Sequence, residues 1–188
     1  MEQKNILIYY LRHDLRVADN PILHHLATAP DHGFTHLLPV FVLPAHQVEV
    51  SGFVCEGKPS PYPEARSAIG RYWRCGPHRV RFLAQAIWNL MENLECLGSG
   101  LCIQPGLPAD VVNHVLENLG GGKDTTVGAL WMVGEEGVEE RQDEKDIVAA
   151  CEKSGVQCKV WQDEKYFIDE SVPYPSPFGR GTSRQIRT

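Results

Sequence analysis

Apolar runs too short for a membrane span alternate with longer segments in which apolar residues recur at spacings of three and four. The first run, residues 5–11, is apolar without alternation, as expected of a strand covered on both faces. Asn20 is a candidate N-cap and Pro21 a candidate first helical residue, which predicts a helix reaching about Ala29. Pro30-Asp31-His32-Gly33 ends it. A second strand is predicted over residues 35–43, with Leu37, Leu38, Val40, Phe41 and Val42 apolar and Pro44 as its stop. Pro39 inside that run argues against a central ladder position or marks a local irregularity.

Residues 45–76 carry no such pattern and are rich in proline and glycine. Pro59, Pro61 and Pro63 predict an extended stretch, and a turn or two of helix is expected over residues 64–73. A connection this long is usually functional or mobile. The clearest helix spans residues 77–97, where Val80, Leu83, Ile87, Leu90, Leu94 and Leu97 form one apolar stripe. Gly98-Ser99-Gly100 stops it.

A short strand over residues 101–104 follows, then a helix over 108–119 with Val111, Val112, Val115, Leu116 and Leu119 inward. Next come a strand over 126–133, a charged helix over 138–153 with Ile147, Val148 and Cys151 on its core face, and a strand over 156–161. Tyr166-Phe167-Ile168 is a final apolar patch. Alternating strands and helices predict an α/β fold: a five-stranded parallel, doubly wound sheet with helices on both faces.

Length adds that 188 residues suffice for one domain rather than two. That domain is expected over residues 1–169. Residues 171–188 hold three prolines, two glycines, three arginines and no acid, so 170–188 is expected to be a disordered basic tail. A net charge of -6 gives no overall drive toward nucleic acid or an anionic membrane. The N-terminus lacks the basic start and apolar core of a signal peptide, and no membrane contact is expected. The expected location is intracellular, nuclear or cytoplasmic. Six scattered cysteines without CxxC or zinc spacing read as reduced thiols, and no metal site is expected.

Candidate chemistry is concentrated in the turn after the first strand. Arg12, Asp14, Arg16, Asp19 and Asn20 form either a network pinning the loop or a surface for a ligand or partner domain. In an α/β fold that turn lies at the carboxyl edge of the sheet. Glu135 and Glu136, at the exit of the fourth strand, share that edge. They read either as acceptors for a heterocycle's N–H groups or as acids favoured at a helix start. Arg66, Arg71, Arg74, Arg79 and Arg81 surround Tyr72 and Trp73. That run suits a solvated loop or a stacked polynucleotide, with Arg71, Arg74 and Arg79 as candidate nucleic-acid contacts. Gly120-Gly121-Gly122-Lys123 follows a helix and lacks phosphate-loop spacing, so it reads as a helix stop. His24 and His25 are expected on a helix surface, and no catalytic residue is assigned.

The run Leu11-Arg12-His13-Asp14-Leu15-Arg16-Val17-Ala18-Asp19-Asn20-Pro21-Ile22-Leu23 matches the pattern LRxDLRxxDNxxL. With Trp73-Arg74-Cys75-Gly76-Pro77-His78-Arg79, Leu97-Gly98-Ser99-Gly100-Leu101 and the stretch from Val160 to Asp169, it carries a resemblance. Over residues 5–169 the chain resembles the N-terminal α/β domain of the photolyase/cryptochrome family, in particular the DASH-type cryptochromes of fungi.

The resemblance implies a sheet that carries an antenna chromophore, commonly 5,10-methenyltetrahydrofolate, in a cleft facing a helical domain. By motif it maps an antenna contact onto Glu135, beside Gly134. The turn at Arg12, Asp14, Arg16, Asp19 and Asn20 becomes chiefly a fold signature and part of an interdomain face. FAD belongs to the helical domain, which this sequence lacks. The expected role is therefore an antenna domain, truncated and not catalytic alone. In full-length relatives it would serve blue-light reception and light-driven repair of cyclobutane pyrimidine dimers, mainly in single-stranded DNA. A regulatory fragment that binds a protein partner through the exposed interdomain face is the competing reading.

Overall fold

The first apolar run becomes the middle of the sheet. In the computed structural model, which describes residues 3–50, 60–120 and 124–162, strand β1 is Lys4–Leu11 and its last five residues are buried. The other strands are β2 (His36–Pro44), β3 (Cys102–Gly106), β4 (Thr125–Val133) and β5 (Gln157–Trp161). Their order is β3-β2-β1-β4-β5, and every pairing is parallel. The helices are α1 (Pro21–Thr28), α2 (Pro77–Cys96), α3 (Pro108–Gly120) and α4 (Val138–Lys153), with a short 3-10 turn at Pro30–His32. This is the expected doubly wound α/β sheet.

Alternation along β1 builds a core on each face. Leu7, Tyr9 and Leu11 pack with Ile22 of α1 and Ile87, Leu90 and Leu94 of α2. Ile8 and Tyr10 pack on the other face with Val112 and Leu116 of α3 and Ile147 and Cys151 of α4. Because β1 is covered on both sides, it carries no polar alternation.

Pro39 lies in a central strand, against the expectation its ring raised. β2 pairs with β3 only from Val40 onward, so Pro39, opposite Tyr9 of β1, has no β3 partner to lose. Pro105 is accommodated because β3 is an edge strand. Gly128 is the extra residue where the β1–β4 register shifts: Ile6 faces Val127 and Leu7 faces Ala129. A Cβ on Gly128 would run into the Asn5 side chain and come within 2.9 Å of the Phe34 ring.

Three local expectations are corrected. Residues 64–73 form no helix: Arg66 and Trp73 make an antiparallel bridge, closed by the Ser67 N–H donating to the Tyr72 carbonyl at 2.8 Å. Successive left-handed residues, Gly70 at φ 75° and Arg71 at φ 55°, reverse the chain there and are incompatible with a helix. Only the middle of the stripe is buried; Val80 in the first turn of α2 is 40% exposed and Leu97, its cap residue, 70%. His25 is half-buried rather than on the surface, packed 5.6 Å from Trp131 and 4.9 Å from Trp161 between ring centroids. Residues 121–123, the patch at 166–168 and the expected tail at 170–188 lie outside the described residues.

Candidate functional site

The turn after β1 is fixed by two separate sets of contacts. Arg12 reaches away from its neighbours: its guanidinium donates to the Glu140 carbonyl, approaches the Val133 carbonyl at 3.5 Å and meets Glu144 at 3.4 Å. Its side chain is only 8% exposed, so one buried cation joins β1 to the end of β4 and the first turns of α4. Arg16 turns back on Asp14, with Nε at 2.7 Å from Oδ1 and a terminal nitrogen at 2.9 Å from Oδ2. That bidentate geometry holds a buried carboxylate at the loop's base.

Asn20 caps α1 through Ile22 and Leu23 and donates to the Tyr9 hydroxyl. Asp19 serves through its backbone: it sits at φ 56°, a conformation that aspartate tolerates better than most residues. Its carboxylate makes no ion pair among the described residues.

Across the same edge, Glu135 Oε1 lies 3.4 Å from His13 Nδ1 and its side chain is 16% exposed. Gly134 donates its N–H to the Trp161 carbonyl at 2.8 Å, and a Cβ there would lie 3.2 Å from Val160 Cγ1. The backbone of the β4 exit is therefore tied to the end of β5. Glu136 pairs with Arg141 of α4 instead of turning toward His13.

A cavity of about 230 Å³ opens over the carboxyl ends of β1 and β2, beneath the starts of α2 and α4. Tyr10, Phe41, Leu83 and Ala86 give it apolar walls, and Arg12 and Arg79 bring cations to it. Gln47 donates to the Glu140 carboxylate at 3.3 Å on its polar side. Burial pushes the Tyr10 hydroxyl well above its ordinary pKa; Arg12 draws it partly down and Asp143 pushes it further up. Tyr10 is thus a neutral phenol at physiological pH. Aromatic and aliphatic walls with a few polar groups are the chemistry of a site for a flat heterocycle. The volume lies below the range of about 300–1,000 Å³ typical of whole drug-sized ligands, so it suits one fused ring system with its substituents outside.

Glu135 and Gly134 do not line this cavity; His13 lies between, lining it on one side and pairing with Glu135 on the other. Arg71, Arg74 and Arg79 are not brought together. Arg79 faces the cavity, Arg74 pairs with Glu139 of α4, and Arg71 is exposed beside its reversed turn. Arg66 stacks its guanidinium 3.7 Å from the Trp73 ring centre. Phe41-Val42 and Phe82-Leu83 fit the DASH pattern in sequence, but nothing there marked Phe41 or Leu83 as cavity walls, and Tyr10 and Ala86 gave no motif signal.

The sequence profile of the DNA photolyase family matches residues 7–173. A putative cryptochrome DASH of Gibberella zeae is 50% identical over 170 residues, which is 90% of this chain and 24% of that protein. A putative cryptochrome DASH of Neurospora crassa, described as mitochondrial, is 46% identical over 171 residues, 90% of this chain and 23% of that protein. The structure of a Synechocystis cryptochrome superposes with a TM-score of 0.69 at 22% identity, covering 93% of this chain and 30% of the other. The chain spans about a quarter of the length of the curated fungal relatives it matches. Among the described residues no helix is long and apolar enough to cross a membrane.

Proposed function

The chain belongs to the DNA photolyase family, and we propose that it acts as the antenna-chromophore domain of a DASH-type cryptochrome. The carrying observation is the cavity of about 230 Å³ at the carboxyl edge of β1 and β2. Ligands of open α/β sheets bind at that edge. Its walls at Phe41, Leu83 and Ala86 fit the face of a conjugated ring, and the Tyr10 phenol offers a neutral hydroxyl.

The chromophore is 5,10-methenyltetrahydrofolate, whose conjugated ring supplies near-ultraviolet absorption when bound. Arg79, exposed and lining the cavity, would offer positive charge to the folate's carboxylate-bearing tail, and Glu135 pairs with His13 at the rim. In this reading, light-driven repair of cyclobutane pyrimidine dimers in single-stranded DNA and FAD are assigned to the remainder of such relatives, of which this chain spans about a quarter. Joined to an FAD-binding part, the domain would supply excitation to the flavin.

Titration of the purified chain with 5,10-methenyltetrahydrofolate tests this reading. The expected result is a saturable shift of the folate's near-ultraviolet band. An unshifted spectrum at saturating folate rejects it.

A second reading has its own observation. Ile69 and Tyr72 beside the reversed turn and Phe82 and Trp88 on α2 are 90%, 76%, 72% and 60% exposed, large apolar side chains that a partner could cover. In this reading the chain is a regulatory fragment that engages a protein partner there. Stable co-purification with a full-length relative, lost on Phe82→Asp, supports it; a chain that stays monomeric in the relative's presence rejects it.

A further inference from the structure

A second site lies far from the cavity, at the opposite end of α4. Cys151 sits in the helix's last turn with no exposed surface, and Cys158 is the second residue of the edge strand β5, half-buried and opposite Leu130. Both belong to the core between α4 and the sheet. The connection is short and tightly folded. Gly155 takes the left-handed conformation at φ 68°, and the Val156 N–H returns to the Cys151 carbonyl at 2.9 Å. Both side chains pack in that one core cluster, and each thiol is the largest single influence on the other's ionisation.

We propose that Cys151 and Cys158 are a dithiol that a hydroperoxide oxidises to a disulfide, fastening the end of α4 to the edge strand β5. The pair divides the chemistry unequally. The hydrogen bond from Cys151 pulls the Cys158 thiol below its ordinary pKa, against the opposing effect of burial. The same bond, and then burial, push the Cys151 thiol up. Cys158 is therefore the more readily ionised thiol of the two, and it is the one with solvent access. Its sulfur attacks the peroxide O–O bond, forming a sulfenic acid and releasing the other oxygen as water or alcohol once protonated. The Cys151 sulfur then displaces hydroxide from the sulfenic sulfur, giving the S–S bond and, with the thiol proton, water. Two electrons pass from the two thiols to one hydroperoxide.

The consequence reaches the sheet edge that bears Glu135. Among the described residues β5 has β4 as its one strand neighbour, and its last residue, Trp161, accepts the Gly134 N–H at 2.8 Å. A covalent tie at Cys158 holds the register of the strand that supports this exit. The proposal does not depend on the antenna reading.

Trypsin makes the test direct, because Lys153 and Lys159 release the cysteines on separate peptides, residues 146–153 and 154–159. The full chain is treated with hydrogen peroxide, quenched, alkylated in denaturant and digested. Expected is a linked pair of these peptides that dithiothreitol separates, appearing at a peroxide dose that leaves most of the exposed Cys96 alkylatable. In Cys151→Ser, dimedone should label Cys158; in Cys158→Ser, Cys151 should stay reduced. Recovery of both peptides alkylated at a dose that consumes Cys96 overturns the proposal. So does a linked pair that joins either peptide to another cysteine first.

Discussion

The side-chain amide of Asn20 donates to the Tyr9 hydroxyl at 2.7 Å, while its carbonyl oxygen accepts from the Ile22 and Leu23 N–H groups at 3.1 Å each. One buried side chain thus caps α1 and ties it to the middle of β1. Asn20→Ala removes the cap and strands the hydrogen-bonding groups around it, so a loss of about 2–3 kcal/mol is expected. Asn20→Asp keeps both acceptor bonds but loses the donor that also reaches the Arg16 carbonyl at 3.2 Å. It should cost about 1–2 kcal/mol. Urea unfolding of the two variants checks the order; equal losses would show that the donor bonds to Tyr9 and Arg16 carry the effect and the cap adds nothing.

Arg12 clamps the first turn to α4 through three acceptors on two elements. Arg12→Ala leaves those acceptors without their cation. Removing one member of a fully buried pair costs about 3–5 kcal/mol; with Glu144 25% exposed, about 2–3 kcal/mol is expected here. Arg12→Lys keeps the charge without the planar fork and should recover less than half of that loss. Denaturant midpoints decide it, and a full rescue by lysine would reduce the clamp to simple charge.

Gly128→Ala places a methyl group against Asn5 and the Phe34 ring, at the point where the β1–β4 register shifts. Asn5 cannot swing away freely, because its amide holds the Gly33 carbonyl at 2.9 Å. A loss of about 1–3 kcal/mol is expected from this overpacking. Thermal unfolding measures it; an unchanged midpoint would show that the bulge relaxes.

The sheet was legible because its strands announce themselves: β1 and β4 are buried on both faces and read as continuous apolar runs. Pro39 misled because a ring in a strand is costly only opposite a partner, and which neighbour begins where is a tertiary fact. The turn at residues 12–20 was legible as a network, but not its main link. Arg12 skips the nearby acids for Glu140 and Glu144, more than a hundred residues away in sequence. The cavity was legible only as an edge. Phe41, Leu83 and Ala86 are ordinary apolar residues in sequence, and only the tertiary packing of α2 brings them around one space.

Tyr10 gives the fold an alkaline limit. Burial holds its hydroxyl above the ordinary value of 10.0, so above about pH 10 the unfolded chain releases a proton that the folded chain keeps. Stability is fully present below that pH and declines above it, by at most about 1.4 kcal/mol per pH unit for this one group. Tyr10→Phe removes the proton from the balance. Its unfolding free energy should fall less steeply from pH 10 to pH 11 than that of the unmodified chain. Parallel slopes would show that the phenol ionises alike in both states.

Two substitutions separate the cavity from the acid beside it. Ala86 is on the wall of the cavity, on a helix whose neighbouring residues Gln85 and Asn89 are exposed. Ala86→Trp fills the space with an indole and should abolish the folate-induced absorbance shift while leaving the circular dichroism of the sheet intact. Glu135→Gln leaves the cavity open and removes only the charge facing His13 at 3.4 Å. A single weakened electrostatic contact of about 0.5–1 kcal/mol corresponds to a two- to five-fold rise in the folate's dissociation constant. If Glu135→Gln abolishes the shift and Ala86→Trp does not, the chromophore rests on the β4 exit and the cavity is not its site. If Ala86→Trp abolishes it and Glu135→Gln only weakens it, the ring lies over β1 and β2, with Glu135 acting through His13.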